Sequence, residues 1–271
     1  MWQGIKDLLK LQETTVLVIL ALLVSIFVIA SVLNWYFPGM SMKWKGPVLF
    51  VTAHPDDECM FFAPSVINSL ENSCNENVYL LCLTNGNYYG LGHIRKKEIL
   101  KSCVALGMSV KNVFVLDSVF FLDGNTDWDF QRVRVAIKEK VIELGIKTIV
   151  TFDSHGVSKH LNHIALFQSL SEIIQKSGIN QIKLYTLQSV NIFRKYISVL
   201  DLIFSIIDCY IAKLFHSSSK HLVILNLSQI WKPQEAMLHH RTQYIWFRKL
   251  YVIFSRYMIL NTLKFEGTLD M

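Results

Sequence analysis

The sequence predicts an α/β protein, a Rossmann-like three-layer sandwich on a mostly parallel sheet, preceded by one N-terminal transmembrane helix. Three observations carry this. Short apolar runs alternate with helical stretches at the spacing of βαβ units. Two clusters rich in histidine and aspartate each follow such a run directly, where open α/β sheets place their sites. A long charge-free run precedes all of this.

Residues 1–13 form a short polar tail, and no Asp, Glu, Lys or Arg occurs from Thr14 to Met42. A helix over residues 14–37 is long enough to cross a hydrocarbon core of about 30 Å. Trp35, Tyr36 and Phe37 supply an interfacial aromatic belt. The apolar stretch is too long for a cleaved signal, and no small-x-small site follows it. Lys6 and Lys10 on one side balance Lys43 and Lys45 on the other, so flanking charge leaves the orientation open.

Residues 47–263 read as the α/β domain. Strands are predicted at 48–52, 78–84, 113–116, 148–152 and 182–187. Helices are predicted at 59–70, at 94–106 with Gly107 as C-cap, at 130–144 ending before Gly145, and from a Ser158 cap to about residue 175. Strands separated by helices pair in parallel, with helices on both faces. Residues 196–215 are mostly apolar but carry Asp201, Asp208 and Lys213. A spanning helix would bury those charges at about 2.5–3.5 kcal/mol each. The segment therefore reads as a helix lying in the membrane interface, with a soluble core helix as the alternative.

The 271 residues suffice for one large domain with appendages. Hydrophobic residues make up 52% of the chain, above the ordinary soluble range, which agrees with membrane contact. The net charge of +6 suits an anionic membrane face or a phosphate-bearing substrate. No dense Lys/Arg stripe occurs, so nucleic acid is not an expected partner. The five cysteines are odd in number and scattered, with no C-x-x-C pair, which indicates free thiols in a reducing compartment. Asn226-Leu227-Ser228 is a formal glycosylation sequon that points the other way.

The first cluster is Ala53-His54-Pro55-Asp56-Asp57-Glu58. One imidazole and three carboxylates in a single loop suit a divalent cation, although an Asp-Asp-Glu turn also caps helices. The second cluster runs from Phe152 to His163 and includes Asp153, His155, His160 and His163. His160 and His163 are three apart at a helix start and can face one point. The two loops could supply His54, Asp57 and one of these histidines to a metal, with a position left for water. The remaining carboxylate and histidine would then serve as base and acid. Asp153 could orient a ligating histidine or cap the helix.

These residues carry a resemblance. The loop 53–58, the segment Gly156-Val157-Ser158-x-His160-x-Asn162-His163, and Arg95-x-x-Glu98 after a glycine-rich loop resemble the metal-dependent N-acetylglucosamine deacetylases. The tail, Met237-x-x-His240-Arg241-Thr242-Gln243-x-x-Trp246-Phe247-Arg248 and then Ser255-Arg256-Tyr257-Met258, resembles the branch acting on N-acetylglucosaminyl-phosphatidylinositol (GlcNAc-PI) in glycosylphosphatidylinositol-anchor synthesis. Thr242 stands where serine is expected.

The resemblance implies hydrolysis of the acetamide by metal-activated water, with zinc as the expected metal. It implies His54, Asp57 and His163 as metal ligands and Asp56 as general base. His160 would stabilise the tetrahedral intermediate and protonate the amine. Arg95 would hold sugar hydroxyls, with Asp123 beside it. GlcNAc-PI and the endoplasmic reticulum membrane are the implied partners, for a single-pass protein whose catalytic domain faces the cytosol. A deacetylase of another glycoconjugate, or an inactive membrane scaffold, are the other readings.

Overall fold

The computed structural model describes residues 43–72, 77–124, 126–175, 182–215 and 221–271, with 15–17, 20, 21, 24, 25 and 28 nearer the N-terminus. Residues 1–38 and 39–271 are separate compact units. Within the expected membrane helix the described residues are helical, and the others lie outside the described residues. Among the described residues no helix is long and apolar enough to cross a membrane.

The central strand β1 (Val48–Thr52) is wholly buried. After it come α1 (Asp57–Met60), α2 (Ala63–Asn72), β2 (Val78–Cys82), α3 (Gly92–Leu106), β3 (Val113–Val115), α4 (Phe130–Leu144) and β4 (Thr148–Phe152). Next are α5 (Gly156–Lys159), α6 (Leu161–Ser171), β5 (Ile174–Gln175), β6 (Ile182–Leu187), α7 (Ile192–Lys195) and α8 (Asp201–Phe215). The chain closes with β7 (His221–Leu225), α9 (Trp231–His239), α10 (Trp246–Phe254) and β8 (Leu260–Leu269).

Strands β3, β2, β1, β4 and β6 are parallel, as predicted, and the sheet sets them in that order. The order reverses between β1 and β4, so the crevice above their C-terminal ends is the switch point where such sheets bind ligands. Helices α2 and α3 are in contact, as are α4 and α6, the pairing that right-handed crossovers on the two faces of such a sheet require. Helix α4 starts on Asp129, whose carboxylate accepts from the Gln131 N–H at 2.8 Å, and ends on left-handed Gly145.

Strand β8 pairs antiparallel with β6, and β7 and β5 pair with it at its two ends. Period-2 apolarity did not predict these three strands. Asn261, Lys264, Glu266 and Gly267 interrupt the pattern in β8.

Several helix boundaries differ from the prediction: α3 starts at Gly92, α6 ends at Ser171 before the strand Ile174–Gln175, α8 starts at Asp201, and two further differences have a local cause. The predicted helix 59–70 is broken at Phe61–Phe62, because Pro64 suits only a first turn. Buried Asn261 satisfies the break, accepting from the Ser65 N–H and donating to the Phe61 carbonyl. The predicted Ser158 cap is replaced by His160, whose Nδ1 accepts from the Asn162 N–H at 3.3 Å. Asn226 of the sequon is buried, and its side chain is hydrogen-bonded to the Gln229 backbone. Among the described cysteines, Cys59, Cys82, Cys103 and Cys209 are free thiols.

Candidate active site

The loops after β1 and β4 meet at the switch point. A cleft of about 340 Å³ is lined by His54, Asp56, Asp57, Arg95, Asp123, His160 and His163, all seven of the predicted site residues.

Hydrogen bonds fix the ring orientations. His163 Nδ1 donates to the Gly156 carbonyl at 3.1 Å, which leaves its Nε2 as a bare acceptor. Asn162 Nδ2 donates to the Thr126 carbonyl, which turns its oxygen to His54 Nε2 at 3.0 Å. His54 therefore carries its proton on Nε2, and Nδ1 is the acceptor. Asp57 Oδ2 accepts from the Ala53 and His54 N–H groups at 3.0 and 2.8 Å, so Oδ1 is turned to the cleft.

Three acceptors thus converge. His163 Nε2 lies 3.3 Å from both Asp57 Oδ1 and His54 Nδ1, and His54 Nδ1 lies 3.7 Å from Asp57 Oδ2. Lone pairs facing lone pairs in a buried site repel, and among the described residues no protein donor stands between them. Burial pushes the His54 pKa down and the Asp57 pKa up, and holds His163 at about 4. Spacings of 3.3 Å are those of donors around one ion with bonds near 2.1 Å. The donor set therefore fits a divalent metal. His54, His160 and His163 also offer ring nitrogens within 4.8 Å of one another. His160 spends Nδ1 on its cap, so its Nε2 is an N–H donor rather than a ligand. Burial lowers its pKa as well.

Local structure explains these positions. Phe152, the last residue of β4, stacks flat on the His163 ring at 3.9 Å. Gly156 lies at φ +56, and a Cβ there would stand 2.8 Å from His163 Cβ. Asp153 does not touch a ligand. Its carboxylate accepts from the His155 and Gly156 N–H groups and from Ser189, so its role is to pin the loop.

Asp56 holds a left-handed φ of 116°. Its Oδ2 is 2.7 Å from Arg248 Nη2. Burial raises its pKa, and Arg248 opposes only part of the rise. Asp123 bridges Arg95 Nη1 at 3.0 Å and His54 Nε2 at 3.4 Å.

Glu58 turns away from the cleft. Its Oε1 meets His240 Nε2 at 2.6 Å and Ser102 Oγ at 2.5 Å, and its Oε2 accepts from the Asp56 N–H. Glu58, Cys59 and His240 also lie within metal-ligand spacing. Here donors already face acceptors, so no ion is needed. Burial alone would raise the Glu58 pKa, but His240 outweighs it and holds the carboxyl below its ordinary range. Burial would lower the His240 pKa, and Glu58 raises it instead. A lowered Glu contributes stability above its unfolded pKa, and a raised His contributes below its own. The pair therefore stabilises fully between 4.5 and 6.5, the ordinary values of the two groups. Glu58→Gln is expected to cost about 3–5 kcal/mol in that window, read from denaturant midpoints, with a smaller loss at either extreme. A cost independent of pH would show that the two are not an ion pair.

Sequence reasoning assigned no role to Arg248, Asn162, Gly156 or His240. All four stand inside the quoted motifs, which was the available signal. Thr242 donates its hydroxyl to Glu98 Oε2 at 2.5 Å, a bond serine would make equally.

Residues 49–174 match the family model described as PIG-L: GlcNAc-PI de-N-acetylase. The chain is 41% identical over 219 residues to N-acetylglucosaminyl-phosphatidylinositol de-N-acetylase of Bos taurus, covering 80% of this chain and 82% of that one. It is 35% identical to the probable enzyme of the same name from Schizosaccharomyces pombe, covering 90% and 96%. The fold is similar to that of N,N'-diacetylchitobiose deacetylase from Pyrococcus horikoshii, with a TM-score of 0.52 at 15% identity over 77% of this chain and 76% of that one. On this similarity the chain belongs to the GlcNAc-PI de-N-acetylase family.

Proposed function

We propose that the protein hydrolyses the acetamide of GlcNAc-PI, releasing acetate and glucosaminyl-phosphatidylinositol, as the names of its relatives state for them. The observation that carries this is the convergence of His54 Nδ1, Asp57 Oδ1 and His163 Nε2, with Asp56 and His160 in the same cleft. These three residues would hold a divalent metal, and zinc suits their nitrogen and oxygen donors. A bound metal supplies a Lewis acid and water of lowered pKa.

The chain's own groups do the rest. Asp56, with its raised pKa, takes the proton from the attacking water. His160 presents Nε2–H to the developing oxyanion, and the proton that Asp56 took from water passes on to the departing amine. Arg95 and Asp123, paired across the rim, offer a donor and an acceptor to sugar hydroxyls. Phe152 and Phe61 close the floor behind His163 and exclude water.

The reading sets the protein at the endoplasmic reticulum membrane, anchored by residues 14–37, with the catalytic domain toward the cytosol. The free thiols support a reducing compartment. The test is acetate release from GlcNAc-PI by the detergent-purified full chain, with and without chelator. Acetate that appears only with metal is the expected result. No release from the metal-loaded protein, with release from a water-soluble N-acetylglucosamine conjugate, would replace this substrate by another glycoconjugate.

A further inference from the structure

Helix α8 is built inside out. A surface helix of a soluble domain turns its apolar stripe inward and its charges outward. Here Asp201 and Ser205 are buried, and Asp208 is half-buried. Arg194 Nε meets Asp201 Oδ1 at 2.5 Å and its Nη1 meets Asp208 Oδ2 at 2.5 Å, while fully buried Arg256 pairs with Asp201 from behind. The charges seven residues apart are thus consumed internally. Ile203, Phe204, Ile207, Tyr210, Ile211 and Leu214 face out.

Two neighbouring elements continue the surface. Arg194 belongs to α7, whose Phe193 is 81% exposed, and its guanidinium lies 5.6 Å from the exposed Phe204 ring. Tyr196, just after α7, packs edge-on against Tyr251 of α10. From α10 emerge Trp246, 72% exposed, and Phe247, Leu250, Ile253 and Phe254. Tyr196, Phe247 and Tyr251 also line the catalytic cleft, so the apolar surface reaches its mouth. Cations are interleaved there. Lys195 lines the same cleft, and exposed Lys249 lies 5.6 Å from the Tyr244 ring.

We infer that α7, α8 and α10 form a membrane-docking face through which the catalytic domain itself seats on a phospholipid surface. Tryptophan, tyrosine and phenylalanine set among lysine and arginine are what the headgroup–acyl boundary selects. The cations complement lipid phosphates. A protein partner would have to bind the face that surrounds the cleft and would obstruct it, whereas a bilayer is where a lipid-borne substrate already stands. That last point rests on the proposed function; the inverted helix does not.

The experiment uses the full chain reconstituted in vesicles of phosphatidylcholine and phosphatidylinositol, with ordinary or brominated acyl chains. The emission of Trp246 is obtained as the difference between the unsubstituted protein and Trp246→Phe. Quenching of that difference by brominated lipid is expected. An unquenched, red-shifted difference means that Trp246 stands in water and overturns the inference. An unquenched, blue-shifted one means that a second copy or another protein covers it, and overturns it equally.

A second arm uses the double substitution Phe193→Ser and Ile207→Ser, at exposed positions outside the catalytic groups. Turnover of GlcNAc-PI in vesicles should fall about tenfold or more, while the acyl-free headgroup glycan is hydrolysed at the unsubstituted rate. Equal slowing on both substrates would assign these residues a merely structural role and overturn the docking face. If the unsubstituted protein hydrolyses neither substrate, the proposed function fails, and the quenching arm still decides the docking face.

Discussion

Asp56→Asn is expected to cut turnover by about 10²–10⁴-fold while metal content stays at the level of the unsubstituted protein. Asparagine keeps the volume and tolerates the left-handed backbone that residue 56 adopts, so the loop geometry survives. What disappears is a carboxylate whose pKa burial holds up and which can accept a proton from water. The pH profile gives a sharper reading. A base works deprotonated, so activity should fall as pH drops through the raised Asp56 pKa, and this acid limb should vanish from the residual activity of the variant. Unchanged turnover, or an unchanged acid limb, would remove Asp56 from the role of base.

Asp57→Asn should do something different. Activity is lost altogether, because the protein no longer holds metal, yet the metal-free protein becomes more stable. In the metal-free state three acceptors face one another. An asparagine can keep Oδ1 on the Ala53 and His54 N–H groups and turn Nδ2 toward His163 Nε2, replacing a repulsion by a hydrogen bond. The gain should be about 1–3 kcal/mol in chelator, measured by thermal unfolding beside the chelator-treated unsubstituted protein. Metal analysis and activity complete the test. A variant that binds zinc as tightly as the unsubstituted protein would show that Asp57 is not a ligand.

The parallel half of the fold was legible because its strands are buried on both faces and read as unbroken apolar runs, as at Val48–Thr52 and Thr148–Phe152. The antiparallel edge was not. Strand β8 carries Lys264, Glu266 and Gly267, and its strand character comes from pairing with β6 and β7 rather than from its own pattern. The helix break at Phe61–Phe62 was similarly hidden, since its polar groups are satisfied by Asn261, 200 residues away. The seven predicted site residues share one cleft because they follow adjacent strands, a relation that strand order alone dictates. Their orientation was illegible. Which histidine nitrogen is bare depends on Asn162 and the Gly156 carbonyl, and no spacing rule reports on a carbonyl.

The stretch from His240 to the first turn of α10 reaches back to the first loop at three points. Gln243 Nε2 donates to the Pro55 carbonyl at 2.6 Å, His240 meets Glu58, and Arg248 meets Asp56. The family match ends at residue 174, so this clamp lies beyond it. A chain stopped after residue 239 would retain every ligand, base and acid and still leave the base without its counter-charge and its loop without a latch. Completeness of the two histidine motifs is therefore no guarantee of a working enzyme in a shortened relative, and the final third of the polypeptide must be inspected before one is credited with activity.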